Sequence, residues 1–405
     1  MKVGFISWDG PDQNYMESLF FPIFERAAQS DIDFSVLQFT WGPEEIRRSI
    51  GRAARDRGID YESRPVLRKP LNAATAAMIV RGAASVVFHA RRHDIDVLMP
   101  KQIMPAAMCM MARPLLPDIR IVFDTDGFMA DERVDFGGWD SEGMVYRLFR
   151  SIEARACRRA DAVVSRTERG RDILIERAGP GVADHKIFVV PNGKDTEQFA
   201  PLPTDERASV RDQWGIPEKA PWVIYAGSLG PHYHPESIFD AFEAIRQRAP
   251  GSRLTILTGH KEVARDIHKA RSIEDDAVDI MRVHPDEVAP ILGAGDLGIA
   301  FRTPSFSQQG VCPIKIAEYL LCGLPVLCTS GVGDLDRQID EKVGMMVEVE
   351  DLNPAGMEGI AQWFVDEVLP NRDGFRSACR ARGKMHFGLD RCAAQLRDVL
   401  QFGTS

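Results

Sequence analysis

Residues 296–328, DLGIAFRTPSFSQQGVCPIKIAEYLLCGLPVLC, restrict this chain to an alternating strand–helix–strand arrangement. The apolar run at 296–301, flanked by Gly295 and Arg302, has the length and composition of a buried parallel strand. A loop rich in Ser, Gln and Gly follows. Pro313 suits the first position of a helix, where its missing N–H costs nothing. Ile314, Ala317, Leu320 and Leu321 then recur at helical steps. Gly323 ends the helix, and Pro325-Val326-Leu327 opens the next strand.

Two charges interrupt this apolar helix. Lys315 lies in its first turn, where the helix dipole disfavours a cation unless an anion sits nearby. Glu318 is three residues on and projects from about the same face. A lysine and a carboxylate so placed suit a diphosphate and a pair of vicinal hydroxyls. An intrahelical ion pair explains the same spacing, and the pattern alone does not choose between the two.

The rest of the chain repeats the alternation. Strands are expected at 3–7, 34–39, 94–99, 120–123, 162–165 and 187–190 in the first half. In the second half they are expected at 222–226, 253–257, 278–283, 296–301, 326–329 and 345–349. Helices are expected at 16–29, from Pro43, at 73–93, 105–113, 142–159 and 236–248, with an amphipathic segment at 391–402. This implies α/β architecture with two doubly wound parallel sheets and ligands at the strand C-termini. Three loops should meet there in the first half: 7–15, 99–104 and the acidic 124–133.

At 405 residues the chain exceeds one ordinary core. The turn Pro191-Asn192-Gly193-Lys194-Asp195 and the proline-bearing stretch 198–204 mark a boundary. The expected division is 1–194, 195–388 and a terminal helix at 389–405. A net charge of −9 argues against nucleic acid as a partner. Seven scattered cysteines form no C-x-x-C pair, so neither a disulfide framework nor a zinc site is indicated, and a cytoplasmic location is expected. The start MKVGFISWDG lacks a signal-peptide pattern, and no apolar stretch reaches the ~20 residues of a membrane span. The segment 45–93 is different: eleven Arg and Lys face four acidic residues. Arg48, Arg52 and Arg55 share one helix face, opposite Ile46, Ile50 and Ala53. Such a face is either solvated or a patch for an anionic membrane surface.

The run P-x-K-x-x-E-Y-L-x-x-G-L-P-V from Pro313 to Val326 resembles the nucleotide-binding signature of the GT4-like retaining glycosyltransferases of the GT-B fold. The resemblance implies two Rossmann-like domains facing a cleft, the first for an acceptor and the second for a nucleotide-diphosphate sugar. It gives Glu318 the donor ribose and Lys315 the diphosphate. The commoner family form has a second glutamate where this chain has Gly310. Y-A-G-S-L-G is similar to the family's loop whose amides face the phosphates, which adds Gly227, Ser228, Leu229 and Gly230 to the donor site, with Gly310. The usual arginine and lysine of that region are replaced by Ser228 and Tyr233, leaving Lys315 and Arg302 to supply positive charge. The loop F-D-x-x-G-F-x-x-D-E-R is similar to the acceptor-domain loop and adds Asp126, at a position where arginine is usual.

Glycosyl transfer to a hydroxyl acceptor (a glycan, a lipid-linked sugar or a small molecule) is therefore expected. The donor is a substrate, and no cofactor or metal ligand is anticipated. The resemblance also admits peripheral membrane attachment. A catalytically degenerate protein that binds nucleotide sugar or glycan as a scaffold stays open. A nicotinamide oxidoreductase is set aside because no G-x-G-x-x-G follows the first strand.

Overall fold

A computed structural model describes residues 1–10, 14–28, 31–66, 71–179 and 184–403. The chain forms two compact units. One comprises Met1–Gly193, Gln309–Cys312 and Leu389–Ser405, and the other Lys194–Gln308 and Pro313–Gly388.

In the first unit the strands are β1 (Lys2–Asp9), β2 (Asp33–Thr40), β3 (Asp60–Pro65), β4 (Val97–Pro100), β5 (Arg120–Asp124), β6 (Ala162–Ser165) and β7 (Ile187–Val189). They form a parallel sheet in the order β3-β2-β1-β4-β5-β6-β7. The order reverses direction between β1 and β4. Buried residues such as Phe5, Val36, Leu98 and Val163 make the central strands apolar on both faces, as a sheet covered by helices requires. The helix Leu389–Gln401 belongs to this unit: Arg120 donates to the carbonyl of Leu400 at 2.7 Å, and Arg397 to that of Arg26 at 3.4 Å.

The second unit repeats the plan with β8 (Trp222–Ala226), β9 (Arg253–Leu257), β10 (Val278–Met281), β11 (Leu297–Ala300), β12 (Val326–Thr329) and β13 (Gly344–Val347). Their order is β10-β9-β8-β11-β12-β13, all parallel, with the reversal between β8 and β11. Buried Asp296 anchors the start of β11 by accepting from Arg207 (2.7 Å), Arg211 (3.3 Å) and Arg372 (2.9 Å).

Several expectations need correction. Pro313 is the residue before the helix Ile314–Leu321, with ψ 116°, because its extended backbone carries the chain out of the preceding loop. Gly323 does end that helix, at φ +72°. Strand β3 was not expected: D-Y-E-S-R-P is a half-exposed edge strand with little apolar alternation. The helix Glu168–Ala178 was also not expected, although Thr167 caps it by accepting from the Gly170 amide. On the helix Glu44–Arg55 the core side is Ile50, Gly51 and Ala54, while Ile46 is exposed. Part of the 7–15 loop, the end of the 16–29 helix, and Arg68 and Lys69 lie outside the described residues.

Candidate functional site

The C-terminal ends of β8 and β11, where the second sheet reverses, are where an open α/β sheet offers a ligand crevice. After β8 the chain turns through Gly227 at φ +139°, a conformation that favours glycine. A β-carbon there would also fall 3.1 Å from Lys315 Nζ. The helix Ile314–Leu321 is fixed against both strands by Tyr319. Its hydroxyl accepts from the Ala226 amide at 2.8 Å and donates to the Ile299 carbonyl at 3.2 Å. Gly298 makes room for that ring, since a β-carbon would lie 2.5 Å from it.

Lys315 is buried, and it is not ion-paired with Glu318. Its Nζ donates to the Tyr225 hydroxyl at 3.0 Å and lies 4.1 Å from the Tyr225 ring centroid and 4.3 Å from that of Tyr233. Burial holds its pKa well below the usual 10.5, the nearby Arg302 charge lowers it further, and Glu318 only partly opposes this. Tyr225 in turn donates to the Ser228 carbonyl, and burial raises its own pKa well above 10. Arg302 follows β11 and lies 5.0 Å from the Tyr233 ring centroid, donating to the Tyr233 hydroxyl at 3.2 Å and to Gln308 at 2.8 Å. One tyrosine ring thus gathers the Arg302 guanidinium and the Lys315 amine.

Glu318 pairs with Lys194, Oε1 to Nζ 2.8 Å, and Lys194 lies 5.2 Å from the Phe199 ring centroid. In the loop after β8, the Gly227 amide donates to the Leu257 carbonyl (2.9 Å) and the Leu229 amide to His260 Nδ1 (3.1 Å). Leu229 is buried beside them. The Ser228 and Gly230 amides have no protein acceptor among the described residues. Sequence reasoning missed Tyr225, His260 and Lys194. Only the tyrosine in Y-A-G-S-L-G carried a signal, as a polar ring at the end of an apolar strand.

The remaining two candidates fall in the first unit. Asp126, at φ +45°, accepts from Lys101 Nζ at 3.1 Å and from Arg166 Nε at 3.4 Å. Lys101 also donates to Asp9 at 2.6 Å, and Arg166 to Asp124. Burial pushes the Asp124 carboxyl up to about 6, with Asp126 adding to the rise and Arg166 opposing it. Burial opposes the Lys101 charge, but Asp9 and Asp126 together raise its pKa above the ordinary lysine value. Asp124-Thr125-Asp126 is an Asp-x-Asp triplet by sequence, yet both carboxylates are committed to these cations. Gly310 packs against Phe128, where a β-carbon would lie 2.9 Å from the ring, and against Gly127 and Gly170. No larger residue fits there without rearrangement.

Two family descriptions match the chain: Glycosyltransferase Family 4 over residues 24–198 and Glycosyl transferases group 1 over residues 220–366. The chain is 26% identical over 253 residues to a D-inositol 3-phosphate glycosyltransferase of Xylanimonas cellulosilytica, covering 59% of this chain and 56% of that one. It is 26% identical over 201 residues to a GDP-mannose-dependent alpha-(1-6)-phosphatidylinositol monomannoside mannosyltransferase of Mycolicibacterium smegmatis, covering 48% and 50%. The chain therefore spans about half the length of these relatives. Its fold is similar to that of Anabaena HepE in complex with UDP and glucose, with a TM-score of 0.73, 15% identity and 99% of each chain covered.

Proposed function

Because this chain belongs to the GT4-like glycosyltransferases of the GT-B fold, we propose that it transfers a sugar from a nucleotide-diphosphate donor to a hydroxyl acceptor. The observation that carries this reading is the buried Lys315 amine, set against two tyrosines at the start of a helix without a carboxylate partner. An arriving diphosphate supplies the missing anion. Negative charge that grows on the leaving diphosphate meets Lys315, Arg302 and the Ser228 and Gly230 amides, positioned donors of the kind that stabilise a departing group without a metal. Glu318 takes the ribose hydroxyls, oriented by Lys194. The UDP in HepE and the GDP-mannose named for the mycolicibacterial relative support a nucleoside diphosphate donor.

The first unit is assigned the acceptor, whose hydroxyls meet the polar strand ends around Asp126. Attack from the leaving-group side retains the anomeric configuration and needs no protein nucleophile. A degenerate scaffold is disfavoured by Tyr233: it replaces the family's usual cation yet collects both Lys315 and Arg302. Calorimetry with UDP, GDP and ADP identifies the base, and nucleotide release from the matching sugar donors tests turnover. Binding of one diphosphate together with its release from the donor is expected. Absence of binding to all three overturns the reading, and tight binding without release in the presence of inositol, sugar and glycolipid acceptors restores the scaffold.

A further inference from the structure

Far along the sequence from these residues, the edge strand β3 and the end of the helix Leu71–Arg92 bring together Glu62, His89 and His93. We propose that these three side chains form a binding site for a divalent transition-metal ion, zinc in the first instance, which ties β3 to the helix.

The two histidines are four residues apart on consecutive helical turns, so both rings face the same side. Their centroids are 4.6 Å apart. One ligand atom from each of the three residues lies within 4.8 Å of the other two. Glu62 Oε1 is 3.2 Å from His93 Nε2 and 4.0 Å from His89 Nδ1. A tetrahedral zinc with bonds of about 2.0–2.1 Å places its ligand atoms roughly 3.3–3.5 Å apart. The cluster needs only a small contraction to reach that geometry. Two imidazoles and one carboxylate leave a fourth position for water.

The surrounding groups are arranged as ligands require. His89 is buried, and its Nε2 is held by Ser35 Oγ at 3.0 Å, while its Nδ1 has no hydrogen-bond partner. A buried ring nitrogen without a partner is costly, and coordination to a cation removes that cost. The Ser35 contact occupies Nε2 and leaves Nδ1 as the ring nitrogen turned to the cluster. His93 has the matching outer partner: its Nδ1 lies 3.5 Å from Asp60, so Nε2 is the nitrogen turned to the cluster. Arg64 occupies the other oxygen of Glu62, Oε2, at 2.9 Å and leaves Oε1 to the histidines. Arg92 reaches Oε1 at 3.4 Å, but it is largely exposed and can swing into solvent. The helix C-terminus adds a favourable field for a cation.

The test uses the full chain stripped of metal with a chelator. Zinc is titrated in competition with a chromophoric chelator, and bound metal is counted after desalting. One zinc per chain is expected, with a rise of several degrees in the unfolding temperature. His93→Ala, at a half-buried position that tolerates truncation, should lower zinc affinity at least a hundredfold, and Glu62→Gln at least tenfold. Ser35→Ala keeps all three ligands and should cost about tenfold by freeing the His89 ring. Nickel and copper should compete with zinc in the usual affinity order. Zinc uptake that is equal in the wild type and in His93→Ala marks adventitious surface binding and overturns the proposal. So does the absence of stoichiometric binding by the wild-type chain.

Discussion

Each of the two sheets reverses its strand order once, and a buried lysine stands at each reversal. Lys101 follows β4 beside the end of β1, and Lys315 approaches the end of β8 beside β11. Their surroundings are opposite. Lys101 is enclosed by Asp9 and Asp126, with Arg166 and Asp124 completing the network, and its charge is held by the fold itself. Lys315 is enclosed by tyrosines and a nearby arginine, and the fold works against its charge. A buried ionisable group matched by its surroundings is structural. One left unmatched beside open backbone amides is where the proposed diphosphate would bind.

The largest consequence concerns stability. Lys101→Met leaves buried Asp9 and half-buried Asp126 beside no lysine, and removal of one partner of a buried pair costs about 3–5 kcal/mol. Lys315→Met removes a buried amine whose charged form the fold disfavours, and Tyr225 keeps its bond to the Ser228 carbonyl. That variant should unfold within about 1 kcal/mol of the wild type. Urea denaturation of both variants checks the contrast, which fails if the two losses are equal.

Ligand binding should reverse the order. Loss of one charge-assisted contact costs about 1.5–3 kcal/mol, so Lys315→Met should bind its nucleoside diphosphate ten- to a hundredfold more weakly while binding the nucleoside almost unchanged. The pH dependence follows from the lowered pKa. The free protein binds fewer protons at Lys315 than the unfolded chain between the depressed pKa and the ordinary 10.5, so its stability rises with pH across that window. The proposed diphosphate would restore the charge. Binding should then take up a proton above the free lysine's pKa, seen as a calorimetric enthalpy that varies with the buffer, and Lys315→Met should abolish that uptake.

A smaller effect is expected at Glu318, because Lys194 shares the carboxylate. Glu318→Ala should cost about 1.5 kcal/mol, or tenfold in diphosphate affinity. The loss should disappear for an analogue lacking the 2′- and 3′-hydroxyls. A loss of the same size for both ligands would show that the glutamate merely supports Lys194.

How much of this was legible varies by residue. The helix Ile314–Leu321 and its two odd charges stood out because apolar periodicity is a local signal. The partners of those charges did not. Tyr225, Tyr233 and Lys194 come from 82 to 124 residues earlier in the chain than the charges they meet, and only the fold brings them close. Likewise, Glu62, His89 and His93 were not grouped by sequence, because Glu62 lies on β3, a polar edge strand with no readable alternation. Gly310 looked like a departure from a family pattern, and the structure gives the physical reason in the Phe128 ring.

The weakest expected effect concerns cations that the fold leaves in solvent. Arg48, Arg52 and Arg55 are exposed on the helix Glu44–Arg55, with Arg48 paired to Glu44. Exposed Ile46 lies on the same helix. Among the described residues no helix is long and apolar enough to cross a membrane. Near an anionic surface each arginine contributes about 1 kcal/mol, and salt screens it. Arg48 should give less than the other two because Glu44 already offsets its charge. Three such contacts make a weak and reversible attachment. The protein should co-sediment with anionic vesicles at low salt, detach as salt rises, and ignore neutral vesicles. Glutamate at all three positions should abolish sedimentation while leaving diphosphate affinity and the unfolding midpoint unchanged. That combination would separate these arginines from Lys101 and Lys315, since no buried group depends on them. If the wild-type chain fails to bind anionic vesicles at low salt, the face is a solvated helix surface and the functional contrast rests on the two buried lysines alone.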